Sequence, residues 1–345
     1  MALHTVKNVM QLLIVKGEYE MKVKSIKKVP FEGKVYNFGV PDNHNYFANS
    51  ILVHNCYMGS TVNGKHATYE DISKTLKALA KMQVLEVAFG GGEPTSHPDF
   101  LKILQLARSL GIVPNFTTRN MAWLNKPIAA KIMKETGAFA VSVDNHKQVI
   151  KLAKLLKSAK IANDRVNLHL VLGTVTREEF NKILVVAARK MLRITLLGYK
   201  DVERGLEFQK IDYSWWLEDI KKLKDLENEA KEFKYRKSNM FWSQKQRYMP
   251  SISIDTVIAH GYQKQIEDSG VPRWMFHTVD GAFSAYIDGV NNRMGPASYN
   301  HFDKLTPFNP SDKKLSRELT AIYQNFNIDE HDPFNGISVM HGDLY

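Results

Sequence analysis

From about residue 68 the hydrophobic and polar positions follow two alternating periods. Short apolar runs begin near Leu85, Val113, Phe139, Asn167 and Arg193, with amphipathic helical spacing between them, so a strand plus a covering helix recurs every 26 to 28 residues. Five such units predict an α/β fold with a parallel sheet or barrel. The helix ends are legible. Thr68, three residues before Asp71, predicts the cap of a helix whose Ile72, Leu76 and Leu79 share a face; Pro98 and Gly111 bracket the second helix, Pro127 and Gly137 the third. Residues 1–55 have another texture. Lys22 to Val29, Val35 to Val40 and Tyr46 to His54 are β-like runs separated by the turn-forming stretches Pro30-Phe31-Glu32-Gly33 and Pro41-Asp42-Asn43, which predicts a small all-β piece. Beyond Asp201 the βα repeat is lost. Tyr213 to Phe233 reads as a long charged helix, and Phe283 to Val290 as a hairpin turning at Asp288-Gly289.

Composition narrows the function classes. The 345 residues are 44% hydrophobic and 24% charged, a folded globular mixture. No apolar run approaches the roughly 20 residues that cross a bilayer, and Val9 to Val15 lacks a following cleavage site, so a cytoplasmic protein without a membrane partner is expected. A single cysteine, Cys56, excludes an internal disulfide and any site built from several thiolates of this chain alone. The net charge of +11 and the basic-aromatic stretch Lys234 to Met249 are compatible with nucleic acid, and equally with a basic solvated surface and a capping segment. Asp329-Glu330-His331-Asp332 reads as a solvated acidic turn rather than a metal site.

The cysteine directly follows His54-Asn55. An asparagine amide can attack its own carbonyl and cut the chain as a succinimide when a neighbouring imidazole assists, and a following thiol can first carry an acyl group as a thioester. Val35-Tyr-Asn-Phe-Gly-Val40 and His44-Asn-Tyr-Phe-Ala-Asn-Ser-Ile-Leu-Val-His-Asn55 resemble, in order and spacing, the C-terminal splicing blocks of inteins, which have the Hint fold. The resemblance implies that Asn55 cyclises, His54 and His44 assist, and Cys56 is the first residue of the C-terminal extein. Asn37 stands where the block usually has an acidic residue. The N-terminal splicing block, with its starting nucleophile, is absent from residues 1–55. The 35 residues from Met21 to Asn55 are similar in size to the C-terminal half of split inteins, and Met21 could itself be a start. A surface hairpin with histidines is the bland alternative.

After Cys56-Tyr57 comes Phe89-Gly-Gly-Gly-Glu-Pro94 at a predicted strand end, where glycines let a ligand approach the backbone and a carboxylate can pair with an ammonium group. From about residue 56 to 200 the chain resembles the radical S-adenosylmethionine (SAM) superfamily. The resemblance implies that Gly91, Gly92, Glu93 and Pro94 hold the methionine end of SAM, that Thr118 in Thr117-Thr118-Arg119-Asn120 lies in a similar segment, and that Ser142 and Asp144 face the ribose side. It also implies a 4Fe–4S cluster, held by Cys-x-x-x-Cys-x-x-Cys. Cys56 fits only the third position of that motif, because the first two fall on Asn49 and Val53, inside the intein-like piece.

Together these readings give a leader at 1–20, an intein C-terminal fragment at 21–55, a partial (βα)6 radical SAM barrel lacking its first strand at 56–200, and a C-terminal extension at 201–345 that could bind substrate. The expected partner is the complementary N-terminal intein half, whose extein would supply the missing strand and two cysteines. The substrate stays open. The alternatives are a Hint-processed binding module with a non-catalytic βα region, and a barrel hydrolase or lyase that does not use SAM.

Overall fold

The computed structural model describes residues 2–16, 21–37, 46–48, 51–53, 65–200, 210–237, 248–272, 275–276, 285–295, 305–310, 315, 317 and 320. The chain divides into two compact units, Met1–His54 and Asn55–Tyr345.

The first unit is antiparallel β wherever it is described. Strand β1 (Ala2–Lys16) pairs along its length with β2 (Met21–Asn37), and β3 (Tyr46–Ala48) with β4 (Ile51–Val53). The expected turn at Pro30 to Gly33 is instead strand. The ladder slips there, with Val6 opposite Gly33 and Asn8 opposite Pro30, so β2 carries an extra residue. A bulge is where a strand tolerates a proline, since the missing N–H leaves no ladder bond unmade. The run from Tyr46 divides into β3 and β4, and the stretch expected to be a leader supplies β1.

In the second unit the βα repeat is realised: α1 (Tyr69–Lys81), β5 (Glu86–Phe89), α2 (Phe100–Ser109), β6 (Val113–Thr118), α3 (Ile128–Glu135), β7 (Phe139–Ser142), α4 (His146–Ala159), β8 (Val166–Val171), α5 (Arg177–Arg189) and β9 (Arg193–Leu197). Thr68 caps α1 by accepting from Asp71 N–H at 3.1 Å, while Asn145 and Thr176 cap α4 and α5 in the same manner. Past residue 200 come α6 (Trp216–Lys237), β10 (Ile252–Ile254), α7 (Thr256–Gly261) and α8 (Gln263–Asp268). The five expected strands are joined by β10, so the parallel sheet has six, ordered β5-β6-β7-β8-β9-β10.

That sequential order decides where the core lies. Right-handed crossovers running steadily across a sheet put every connecting helix on one side. Phe116, Phe139, Val141, Leu168, Leu170, Ile194 and Leu196 are buried on the helix side, where Phe116 stacks on Phe139 at 5.5 Å and meets Trp123 and Phe100 edge-on. Tyr213, Trp216, Tyr262 and Ile266 belong to the same cluster, so the core continues past residue 200. The opposite face carries Asn115, Thr117, Ser142, Asn167, His169, Thr195 and Ser253, all at the alternate positions of their strands.

A second cluster joins Leu76, Leu79, Ile103, Ala107 and Ile112 to Met294, Phe308 and Leu315. The last three come from or near the small antiparallel sheet β11 (Tyr286–Asp288), β12 (Arg293–Gly295) and β13 (Thr306–Pro307). The expected hairpin is β11-β12. Its turn runs through Gly289 to Asn292, held by the Asp288 carboxylate accepting from Val290 and Asn291 N–H. Among the described residues, no helix is long and apolar enough to cross a membrane.

Candidate active site at the strand ends

The C-terminal ends of parallel strands are where loops can converge on a ligand. After β5 the chain turns through Gly90 and Gly91 into Glu93 and a 3-10 turn at Pro94–Ser96. Gly91 has φ +113°, a conformation costly for any residue with a Cβ, and a Cβ placed there would meet nothing within 4 Å. The loop backbone is therefore open to an approaching group.

The Glu93 carboxylate is engaged by the chain itself. Its Oε1 accepts from Thr95 N–H (3.1 Å), Thr95 Oγ1 (2.6 Å) and Thr118 Oγ1 (2.7 Å), and its Oε2 from the backbone N–H groups of Arg119 (3.0 Å) and Asn120 (3.1 Å). A carboxylate offers about four lone-pair sites, so five donors from the chain itself saturate it. The residue expected to receive an ammonium group clasps the loop after β5 to the loop after β6. Thr118 is buried beneath this clasp.

The network continues across the strand ends. The Arg119 guanidinium pairs with Asp144 at 2.8 Å, Asp144 also accepts from Asn145 Nδ2 at 2.8 Å, and Asp144 N–H donates to Gln148 Oε1 at 2.8 Å. Next to it, Glu179 Oε1 accepts from His146 N–H at 2.6 Å and lies 2.7 Å from His146 Nδ1. The structure thus brings Glu93, Thr118 and Asp144 into one chain of contacts through Arg119. Ser142 ends β7 two residues before Asp144, and Pro94 opens the 3-10 turn without joining the network. Arg119, His146 and Glu179 were not singled out from the sequence. Their partners lie 25 to 33 residues away, beyond the reach of local pattern.

His44, His54, Asn55 and Cys56 lie outside the described residues, as do Phe241, Trp242 and Asp329 to Asp332. Tyr248 and Met249, from the basic-aromatic stretch, donate their backbone N–H groups to Glu227 at 3.0 Å, with Arg189 over the Tyr248 ring at 6.0 Å. That end of the stretch caps and packs on the fold. Among the described residues, no group of three or more His, Cys, Asp or Glu is placed to hold a metal ion.

These parallel strands, with a glycine loop and a polar network at their C-terminal ends, define an α/β protein with a candidate site there. Residues 54–146 match the family model described as the radical SAM superfamily. A match to that family implies SAM and a 4Fe–4S cluster as cofactors. The chain is similar in fold to Streptococcus suis SuiB bound to SAM, with a TM-score of 0.55 and 15% identity over 83% of this chain and 67% of that one. SuiB bound to the precursor peptide SuiA gives a TM-score of 0.52 and 17% identity, covering 83% of this chain and 65% of that one.

Curated relatives match shorter stretches. DNA topoisomerase 1 of Pyrococcus furiosus is 27% identical over 160 residues, 40% of this chain and 15% of that protein. The tRNA-splicing ligase RtcB of Methanocaldococcus jannaschii is 36% identical over 72 residues, 21% of this chain and 7% of that one. The PqqA peptide cyclase of Bradyrhizobium diazoefficiens is 38% identical over 55 residues, 16% and 14% respectively. The chain spans at most 15% of the length of these relatives.

The two cofactors fit this chain differently. The open backbone at Gly91 and the ordered strand-end loops suit the methionine end of SAM. A 4Fe–4S cluster needs three thiolates to leave one iron for a ligand, and the chain has one. The cluster does not fit the 345 residues by themselves.

Proposed function

We propose that this chain is the C-terminal part of a spliced precursor: residues 21–55 act as the C-terminal piece of an intein, and residues 56–345 become the larger part of a radical SAM enzyme. One coincidence carries the reading. The boundary between the compact units falls between His54 and Asn55, the radical SAM match begins at residue 54, and the only cysteine is Cys56.

In this reading the complementary intein half presents its extein as a thioester. The Cys56 thiolate attacks that carbonyl, forming a new thioester and releasing the partner's thiol. The Asn55 side-chain nitrogen then attacks its own backbone carbonyl, breaking the Asn55–Cys56 bond and leaving a succinimide. His54 and His44 supply the proton for the departing amine. The freed Cys56 amino group takes the acyl group from its own sulfur, completing a peptide bond. The ligated extein supplies the other two cysteines, and Cys56 becomes the third cluster ligand.

In the product, the backbone around Gly91 and Gly92 receives the methionine end of SAM, positioned by the Glu93 clasp, while Ser142 and Asp144 face its ribose side. SAM bound at a reduced cluster supplies a carbon radical. The substrate in this reading is a peptide, supported by the peptide named for SuiB and by the peptide cyclase among the relatives.

The test is to mix the chain with an N-terminal intein half whose extein ends in Cys-x-x-x-Cys-x-x. Mass spectrometry should find residues 1–55 released and the new extein joined to Cys56. Anaerobic reconstitution should then load about four irons on the ligated product and none stably on the starting chain. An intact Asn55–Cys56 bond removes the splicing reading, and a ligated product that binds no iron removes the enzyme reading.

A further inference from the structure

The two faces of the six-stranded sheet differ in what they leave unused. On the helix side the rows are apolar apart from Thr118, whose hydroxyl donates to Glu93. On the other side two rows run across the strands: Thr117, Ala140, Asn167 and Arg193 in one, Ser142, His169, Thr195 and Ser253 in the next. Part of this face is internally satisfied. Asn115 Nδ2 donates to Glu86 at 3.1 Å, and Asn167 Nδ2 to Thr195 Oγ1 at 2.6 Å, which lies 2.7 Å from Ser253 Oγ.

The remainder is unspent. Asn167 Oδ1 is sealed from solvent without a hydrogen-bond partner. The ring of His169 makes no hydrogen bond among the described residues, nor do the hydroxyls of Ser142 and Thr117. A native fold rarely leaves polar groups idle in a half-buried position unless something else engages them. Burial pushes the His169 pKa down to about 4, so its imidazole is neutral at physiological pH and offers one donor and one acceptor.

The charged side chains of this face, Glu86 and Arg193, sit on the first residues of β5 and β9, at the far end of the strands from the glycine loop. The centre of the face is uncharged. A carboxylate or ammonium ligand would lose its hydration there without a counter-charge, whereas a neutral group with one donor and one acceptor would match what is free. The peptide amide is such a group.

We propose that His169, on the open face of the sheet, hydrogen-bonds an uncharged backbone amide of a peptide substrate. The proposal rests on the peptide-substrate reading and assigns the residue that would recognise it. His169 is a specificity-determining residue here; no chemical step is given to it.

The test uses the full chain labelled with 15N-histidine and the neutral probe N-acetylglycine N-methylamide, with acetate and methylammonium as charged controls. The His169 ring signals, assigned by their loss in His169→Gln, should shift saturably with the neutral probe and not with either ion at equal concentration. Backbone amide shifts of Ser142 and Thr195 report binding in the variants. His169→Phe should weaken it about tenfold, the scale of one lost hydrogen bond, while His169→Gln should stay within about threefold. Thermal melts confirm that both variants fold. No saturable shift, an equal response to the ions, or unchanged binding in His169→Phe would overturn the proposal. SAM titrated into the ligated, iron-loaded product keeps the two readings separate: loss of the SAM response there removes the cofactor assignment, and loss of the amide response alone removes this one.

Discussion

Glu93 sits in a loop that the sequence marks by its glycines, while the partners of its carboxylate are set by the fold. The Gly-Gly-Glu string marks a candidate ligand loop because glycine exposes backbone, a property legible in the sequence. The five donors on the carboxylate come from Thr95 and from residues 118–120, and only the folded loops bring them there. Glu93→Gln would turn an NH2 group toward donors that need an acceptor. It should cost about 1–3 kcal/mol in urea unfolding and speed hydrogen exchange at the Arg119 and Asn120 amides, even without SAM. Unchanged exchange at both would show that the clasp is dispensable.

His169 carries a pH signature of its own. Its folded pKa of about 4 lies below the ordinary value of 6.5, so between these limits the unfolded chain binds the proton more readily. Its contribution is whole above pH 6.5 and is lost as the pH falls toward 4, by about 3 kcal/mol in total. Urea unfolding at pH 7 and pH 4.5 should show that loss in the parent chain and a smaller one in His169→Gln. The alternation of Asn167 and His169 in Val-Asn-Leu-His-Leu-Val was a visible signal, since a strand covered on both faces reads as continuously apolar.

At the scale of elements, the helices and five strands were legible because caps and apolar periods are local. β10 was not, since it is three residues long and stands more than 50 residues after β9. Its place is set by contacts. Asp255, just after it, accepts from Gly198 N–H at 3.0 Å and caps α7 through Ile258 N–H. Gly198 has no room for a side chain, because a Cβ there would come within 2.7 Å of Val257 Cβ. Gly198→Ala should therefore cost about 1–3 kcal/mol in urea unfolding by forcing β9 and α7 apart. Full stability would mean that α7 moves freely. The bulge in β2 was likewise hidden, because Pro and Gly announce a turn and only the partner strand reveals a continuing ladder.

For the whole molecule, composition spoke most clearly through what it withheld. One cysteine beside an Asn-Cys bond is at once too few for a cluster and well placed for a junction. In the splicing reading Asn55→Ala removes the cyclising amide, so with a competent partner it should accumulate the branched thioester. Cleavage at that bond in the variant, seen by mass spectrometry, would assign the cut to other chemistry.

The consecutive strand order has a further consequence for how the second unit forms. Each strand from β5 to β9 pairs with the next one to leave the ribosome, at a separation of fewer than 30 residues, so the ladder can be laid down in the order of synthesis with short loops to close. Among the described residues, each inner strand has both flanks taken, and the sheet can lengthen only beside β5 or β10. β5 is four residues long and opens on Glu86, a short charged edge that resists pairing with another copy. Such a sheet can stand as a nascent body and still accept a strand delivered late.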